Sequence, residues 1–280
     1  MTLSVCVQNL LYAALLEEVQ ATPKPGLVDR HDSGAHRDMT IHTFRRSAAA
    51  IAPHLGQSFA AGLGWSASAP ELFQVIRPLG RLAEADMFFS TGGVNTHRGA
   101  IFTLGILASA AGLCYRRSGV FSSAEILRKS REMCAPCLQK ELRALPQRLP
   151  RTHGEQLYLS SGAAGIRGEA MAGFPALEAV ALPALREGEQ PNRNAQLLKT
   201  LLQLTASLED TTILHRAGPS GLAWAQMQAR TFLSAWPVLT SPALEALSAM
   251  NAAFVQRNIS PGGAADLLAA AIFLEQLEAL

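Results

Sequence analysis

Apolar residues recur along this chain at three- and four-residue intervals, and stretches rich in Gly, Pro and charge separate the segments that carry them. In residues 3–21, Leu11, Ala14, Leu15 and Val19 fall on one helical face. Pro23 and Pro25 stop that helix. The same reading predicts helices over 40–59, with Pro53 as a kink point, over 70–89 and over 100–113. Residues 122–145, 174–185, 194–208, 221–233, 242–257 and 262–280 complete the set. The 100–113 segment is too rich in Ala and Gly for a strand and dry enough to be central. No run alternates with period two over a convincing length, and no composition shift marks a boundary. The expected fold is all-α, a single multi-helix globular domain over residues 1–280.

Composition narrows this further. Hydrophobic residues make up 49% and charged residues 16%, which excludes a disordered chain. Aromatics are 6%, and the dominance of Ala and Leu favours helix over sheet. A formal charge of +2 gives no reason for a nucleic-acid or anionic-membrane partner, so any anion site must be a local cluster. The N-terminal stretch lacks Lys or Arg ahead of its apolar residues and does not read as a signal peptide. Gly99 to Tyr115 is short for a membrane span and diluted by Gly, Ser and Thr. The four cysteines, including a lone Cys134-Ala-Pro-Cys137, read as free buried thiols. A cytoplasmic protein without membrane or nucleic-acid partners is expected, and a homo-oligomer is compatible with it.

Chemistry concentrates between the helices. Residues 22–38 form a long polar loop carrying Lys24, Asp29, Arg30, His31, Asp32, His36, Arg37 and Asp38. Loops of this length in a compact domain are usually functional or disordered. Its residue types suit phosphates, metal or proton transfer, or else a solvated connection. Gly92-Gly93-Val94-Asn95-Thr96-His97-Arg98 leads straight into the dry helix. Free N–H groups there favour an anion, Arg98 adds charge, and Asn95 and His97 suit a ribose or base. A glycine-rich cap is the alternative. Arg167, Glu169 and the Glu209-Asp210 pair set charges in apolar surroundings, which calls for salt-bridge partners, a metal or a substrate. Ser260-Pro261-Gly262-Gly263 opens the last helix with Arg257 nearby, as an anion site or an ordinary capped start. Asp266 complements that helix dipole or reaches a metal.

The motifs PKPGLVD, GAHRDM, GGVNTHRGAIF, GIRGEA, AGFP, EDT and SPGGAADLLAA occur in this order over nearly the whole chain. Together they resemble the triphosphoribosyl-dephospho-CoA synthase family of citrate lyase and malonate decarboxylase operons, with a lean toward the malonate branch. Thr212 stands where that family usually reads Asn; it can donate or accept a hydrogen bond but lacks the carboxamide. The resemblance implies that ATP loses adenine from its ribose C1 and that the 2'-hydroxyl of 3'-dephospho-CoA attacks that carbon. A separate holo-acyl-carrier transferase would take the product. Under this reading Lys24, Arg98, Arg257, Gly93, Gly262 and Gly263 serve phosphates, and Asp29, His36, Asn95, His97 and Arg167 contact substrate. Asp38 and Glu169 are the base and the cation stabiliser, and Asp86 and Asp210 hold Mg2+. Two other classes share the inventory: a metal-dependent all-helical ADP-ribosyl or nucleoside hydrolase, and a non-catalytic CoA- or nucleotide-binding protein. Adenine release that requires dephospho-CoA separates the transferase from both.

Overall fold

The computed structural model describes residues 2–150 and 152–280. In chain order they form α1 (Leu3–Gln20), α2 (Ile41–Gly64), α3 (Ala69–Thr91), α4 (Arg98–Ser118), α5 (Ser123–Ala144), α6 (His153–Ser161) and α7 (Gly165–Ala172). A π-helical turn, Leu177–Ala181, runs into α8 (Leu182–Arg186), followed by α9 (Arg193–Ser207), α10 (Thr211–Ala235), α11 (Ser241–Gln256) and α12 (Gly262–Glu278). No strand occurs among the described residues, so the all-α expectation holds.

α4 and α12 are apolar on nearly every side, and helices of that kind belong in a core. In α4 every residue from Ile106 to Cys114 is buried, and in α12 every residue from Leu267 to Leu274. α4 is long and apolar enough to cross a membrane by length and composition alone, but 72% of its apolar window is buried inside the protein. α2 crosses α4 at backbone contact. A Cβ on Gly62 would lie 1.9 Å from Ser109 O, and one on Gly112 would lie 2.2 Å from Phe59 O. Side chains at either place would force the two helices apart.

Pro53 sits inside α2 without ending it, on an exposed face. The Cys134-Cys137 pair is not bridged, and burial pushes the Cys134 thiol up to about 12. Cys6 and Cys137 are only half-buried, so the reading as buried thiols holds for Cys114 and Cys134.

The long polar loop is a built element. Asp29 is buried and its carboxylate accepts from Thr22 Oγ1 (2.8 Å), Lys24 N (2.9 Å), His31 N (2.7 Å) and Asp32 N (3.1 Å). Asn251 of α11 accepts from Gly26 N at 2.8 Å and donates to Asp32 at 2.8 Å. These bonds press residues 22–28 into the protein and hold Lys24 and His36 against the starts of α4 and α12.

Candidate active site

The starts of α4, α10 and α12 meet the end of α1 and the 22–38 loop around a cavity of about 160 Å³. Its polar lining includes Glu18, Lys24, His36, His97, Thr212 and Asp266. Segments far apart in sequence thus converge on one hole in the core, each supplying a group that can be charged or can hydrogen-bond.

The electrostatics of the lining are specific. Lys24 is 1% exposed, forms an ion pair with Glu18, and donates to the Glu18 carbonyl at 3.0 Å. Those bonds use two of its three ammonium protons and leave one for a cavity ligand. Burial raises the Glu18 pKa, and the Lys24 charge and hydrogen bond oppose that rise. His97 lies behind a hydroxyl relay. Thr96 Oγ1 donates to Ser47 Oγ at 2.7 Å, and Ser47 Oγ lies 2.6 Å from His97 Nδ1. His97 Nδ1 is the acceptor within reach of the Ser47 hydroxyl proton, and that pairing places the proton of the neutral ring on Nε2. That Nε2 is buried with no partner. Burial, with the Lys24 charge second, lowers the His97 pKa to about 3, so the ring stays neutral.

Asp266 projects from the first turns of α12 onto the first turn of α4. Its carboxyl accepts from the Ala100 N–H, and a Cβ on Gly99 would fall 1.9 Å from its Oδ2. Glycine at position 99 is therefore what lets this acid reach the cavity. Burial first, then the charges of Glu18 and Asp210, hold the Asp266 carboxyl well above the usual carboxylate range. His36 shares a 2.9 Å hydrogen bond between Nε2 and Ser260 Oγ. Burial and the Arg216 charge lower its pKa, and Asp38 partly offsets them.

The cavity thus gathers His36, Asn95, His97, Arg98, Gly262 and Lys24 of the sequence candidates. Others lie elsewhere, for identifiable reasons. Asp29 organises its own loop, as described above. Asp86 is exposed on α3 and pairs with His54 Nε2 at 2.7 Å. Asp210 is the buried N-cap of α10, accepting from Thr212 N (2.8 Å), Ile213 N (3.3 Å) and, across the gap to α12, Ala264 N (3.1 Å). The structure does not bring these two acids into one site: Asp86 is exposed and bonded to a histidine, and Asp210 is buried against helix N-termini. No group of three or more His, Cys, Asp or Glu able to hold a metal occurs among the described residues.

Gly262 lines the cavity, but its neighbour Gly263 is placed differently. The Gly263 and Ala264 N–H groups donate to Asp210, so they are not free for a phosphate. A Cβ on Gly263 would sit 3.1 Å from Asp210 Cγ. Gly263→Ala must therefore push on a carboxylate that four backbone donors hold in place. We expect it to lose about 1–3 kcal/mol of stability, as overpacking does, and thermal melting checks this. A stability gain would mean that the cap can yield.

Arg257 lays its guanidinium on Trp224, 4.5 Å from the ring centroid, rather than on the cavity. Gly93 is exposed in the turn before α4. Glu169 Oε2 accepts from Ala176 N at 3.0 Å, satisfying the chain turn after α7, and burial raises its pKa. Asp38 is exposed and makes itself felt on His36 and Arg216. Neither Asp38 nor Glu169 lines this cavity or the one beside Arg167, so the two are not joined there as a catalytic pair. Arg167 pairs with Glu155 at 3.2 Å and lines a second cavity of about 240 Å³ between α2, α3, α4, α5 and α7.

The family model described as ATP:dephospho-CoA triphosphoribosyl transferase matches residues 5–280. The chain belongs to this family. It is 40% identical over 271 residues to the 2-(5''-triphosphoribosyl)-3'-dephosphocoenzyme-A synthase of Escherichia fergusonii, covering 96% of this chain and 89% of the relative. It is 41% identical over 281 residues to a probable synthase of the same name from Albidiferax ferrireducens, covering 99% and 92%. A probable synthase from Citrobacter koseri is 40% identical over 273 residues, covering 96% and 89%. No solved structure matches the chain. As a member of the transferase family, it presents a buried polar cavity where most of the motifs meet.

One acid of that cavity, Glu18, was not singled out in the sequence, and another, Asp266, was read there in a different role. Glu18 falls on the buried stripe of α1 with Leu11, Ala14 and Leu15, and an acid on an apolar stripe is a legible signal. Asp266 reads in sequence only as a dipole complement or metal ligand; its approach to Gly99 required the fold.

Proposed function

We propose that this chain transfers the 5-triphosphoribosyl group of ATP to the 2'-hydroxyl of 3'-dephospho-CoA, releasing adenine, in the cavity between α1, α4 and α12. The observation that carries this reading is the unpartnered, buried Nε2 of His97, a residue that lines the same cavity as Asp266 and the Lys24–Glu18 pair. A buried donor without an acceptor is costly, so a substrate oxygen or nitrogen is its natural complement.

The division of labour follows from protonation states. Asp266, which keeps its proton above the usual carboxylate range, donates to the adenine ring as the C1–N9 bond breaks. His36, held neutral, accepts the proton of the attacking 2'-hydroxyl as the new C1–O bond forms. One proton leaves Asp266 and one arrives on His36, so adenine departs neutral and the sum of charges is unchanged. Lys24, through its remaining N–H, and Arg98 bind triphosphate oxygens. Magnesium arrives as part of the ATP substrate, held by the phosphates, in keeping with its preference for phosphate oxygens and water over protein-built cages. The product is the precursor of an acyl-carrier prosthetic group, for malonate decarboxylase or citrate lyase, and passes to a separate transferase in the cytoplasm.

Incubation with ATP and dephospho-CoA should yield free adenine and a heavier CoA species in equal amounts by mass spectrometry. ADP or AMP as the main product would mean phosphoryl transfer. Adenine formed equally well without dephospho-CoA would make the chain a hydrolase.

A further inference from the structure

The second cavity, about 240 Å³, shares a wall with the first. Arg98 to Ala100 line the polar cavity, and Ile101, Phe102, Gly105 and Ile106, further along α4, line the second. An ion pair spans the divide: Arg98 from the polar side and Glu84 from the other, at 3.0 Å.

The lining of the second cavity differs in kind. Its interior is apolar, with Phe73, Ile76, Phe102, Ile106 and Leu138 among its walls, and Arg77, Arg81 and Arg167 bring guanidinium groups to the same space. Arg77 and Arg167 are engaged by Glu141 and Glu155, whereas Arg81 has no acid partner among the described residues. His54 donates Nε2–H to Asp86, which leaves its buried Nδ1 as an acceptor that no protein group fills. Apolar walls, a free cation and an unfilled acceptor for an N–H describe a ligand with a flexible aliphatic chain, amides and an anionic end.

We infer that this second cavity holds the diphosphate and pantetheine arm of the acceptor, while the acceptor's ribose lies at the shared wall beside Arg98. The inference rests on the transferase reading and adds a place for the second substrate to it. ATP has no aliphatic or amide portion to match these walls, whereas dephospho-CoA carries both beyond its diphosphate. The adjacency of the cavities allows one acceptor to present its 2'-hydroxyl to the first while its arm fills the second.

Gly105 supplies the test. It lies in α4 on the cavity wall, and a Cβ there would meet nothing within 4 Å. Gly105→Leu therefore adds a side chain where there is room and improves helix propensity, so folding should survive. Equilibrium binding of dephospho-CoA and of ATP would be measured by calorimetry on the wild-type chain and on this variant. Dephospho-CoA binding should weaken at least about tenfold, with ATP binding unchanged. Arg81→Glu, at an exposed position, should weaken the same ligand and serves if Gly105→Leu fails to fold. Because binding is read without turnover, a chain that released no adenine would still report on this cavity. Unchanged dephospho-CoA binding in both variants, or a loss of ATP binding instead, would overturn the assignment.

Discussion

Asp266→Asn should reduce turnover by about 10³-fold while leaving ATP binding near its wild-type value, as loss of a general acid does. Asn keeps the shape and can still accept from the Ala100 N–H, but it cannot deliver a proton to adenine. Stability carries a second, independent sign. The folded Asp266 holds its proton above the usual carboxylate range, whereas the unfolded group releases it near about 3.9. Between those two values the folded state binds more protons, so stability falls as pH rises through that window. The Asn variant loses that dependence and should be no less stable than wild type at neutral pH. Turnover at saturating substrate, with thermal melts at acid and neutral pH, reads both effects. Near-normal turnover would return Asp266 to a purely structural role at the start of α4.

The same residue shows where sequence reasoning reached and where it stopped. The long periodic helices were legible to within a few residues, since their apolar faces decide burial directly, as in α1 and α12. α6 and α7 were not. His153–Ser161 buries only Glu155, and Gly165–Ala172 buries only Ala170 and contains glycine at its start and middle. Neither segment has an apolar face for periodicity to find. α10 was half legible. Its second part emerged from the pattern, but Thr211–Ala217 is also helical, and the two parts meet at Gly218 with φ 67° and ψ −173°.

That missed half-helix explains why the structure gives Asp210 a role the sequence did not suggest. With a helix starting at Thr211, Asp210 is an N-cap, and its carboxylate goes to the N–H groups of residues 212 and 213. Without it, a buried acid at the end of α9 invites a metal. Two neighbouring glycines likewise suggested a phosphate cradle at Gly262 and Gly263, although Gly263 is small to admit the Asp210 carboxylate. Residue types announced that these segments matter. Only the fold showed which of them face the cavity and which hold one another in place.

Lys24 carries the largest expected stability effect, and it separates a structural cation from a substrate cation. Lys24→Met keeps the aliphatic stem but leaves the Glu18 carboxylate buried with no countercharge. Breaking a buried pair from one side costs about 3–5 kcal/mol, because the remaining charge has lost both water and partner. Glu18 already has a raised pKa through burial, with Lys24 opposing the rise, so the variant's Glu18 should take up a proton on folding more readily still. The loss should therefore grow as pH increases, and denaturant unfolding at pH 5 and pH 8 would show it. Glu18→Gln combined with Lys24→Met removes the orphaned charge, and most of the lost stability should return. Turnover should not return with it, since the ammonium proton that faces the cavity is still missing. A double variant that regained turnover along with stability would show that Lys24 serves the fold alone, and the triphosphate would then have to rely on Arg98 and its neighbours.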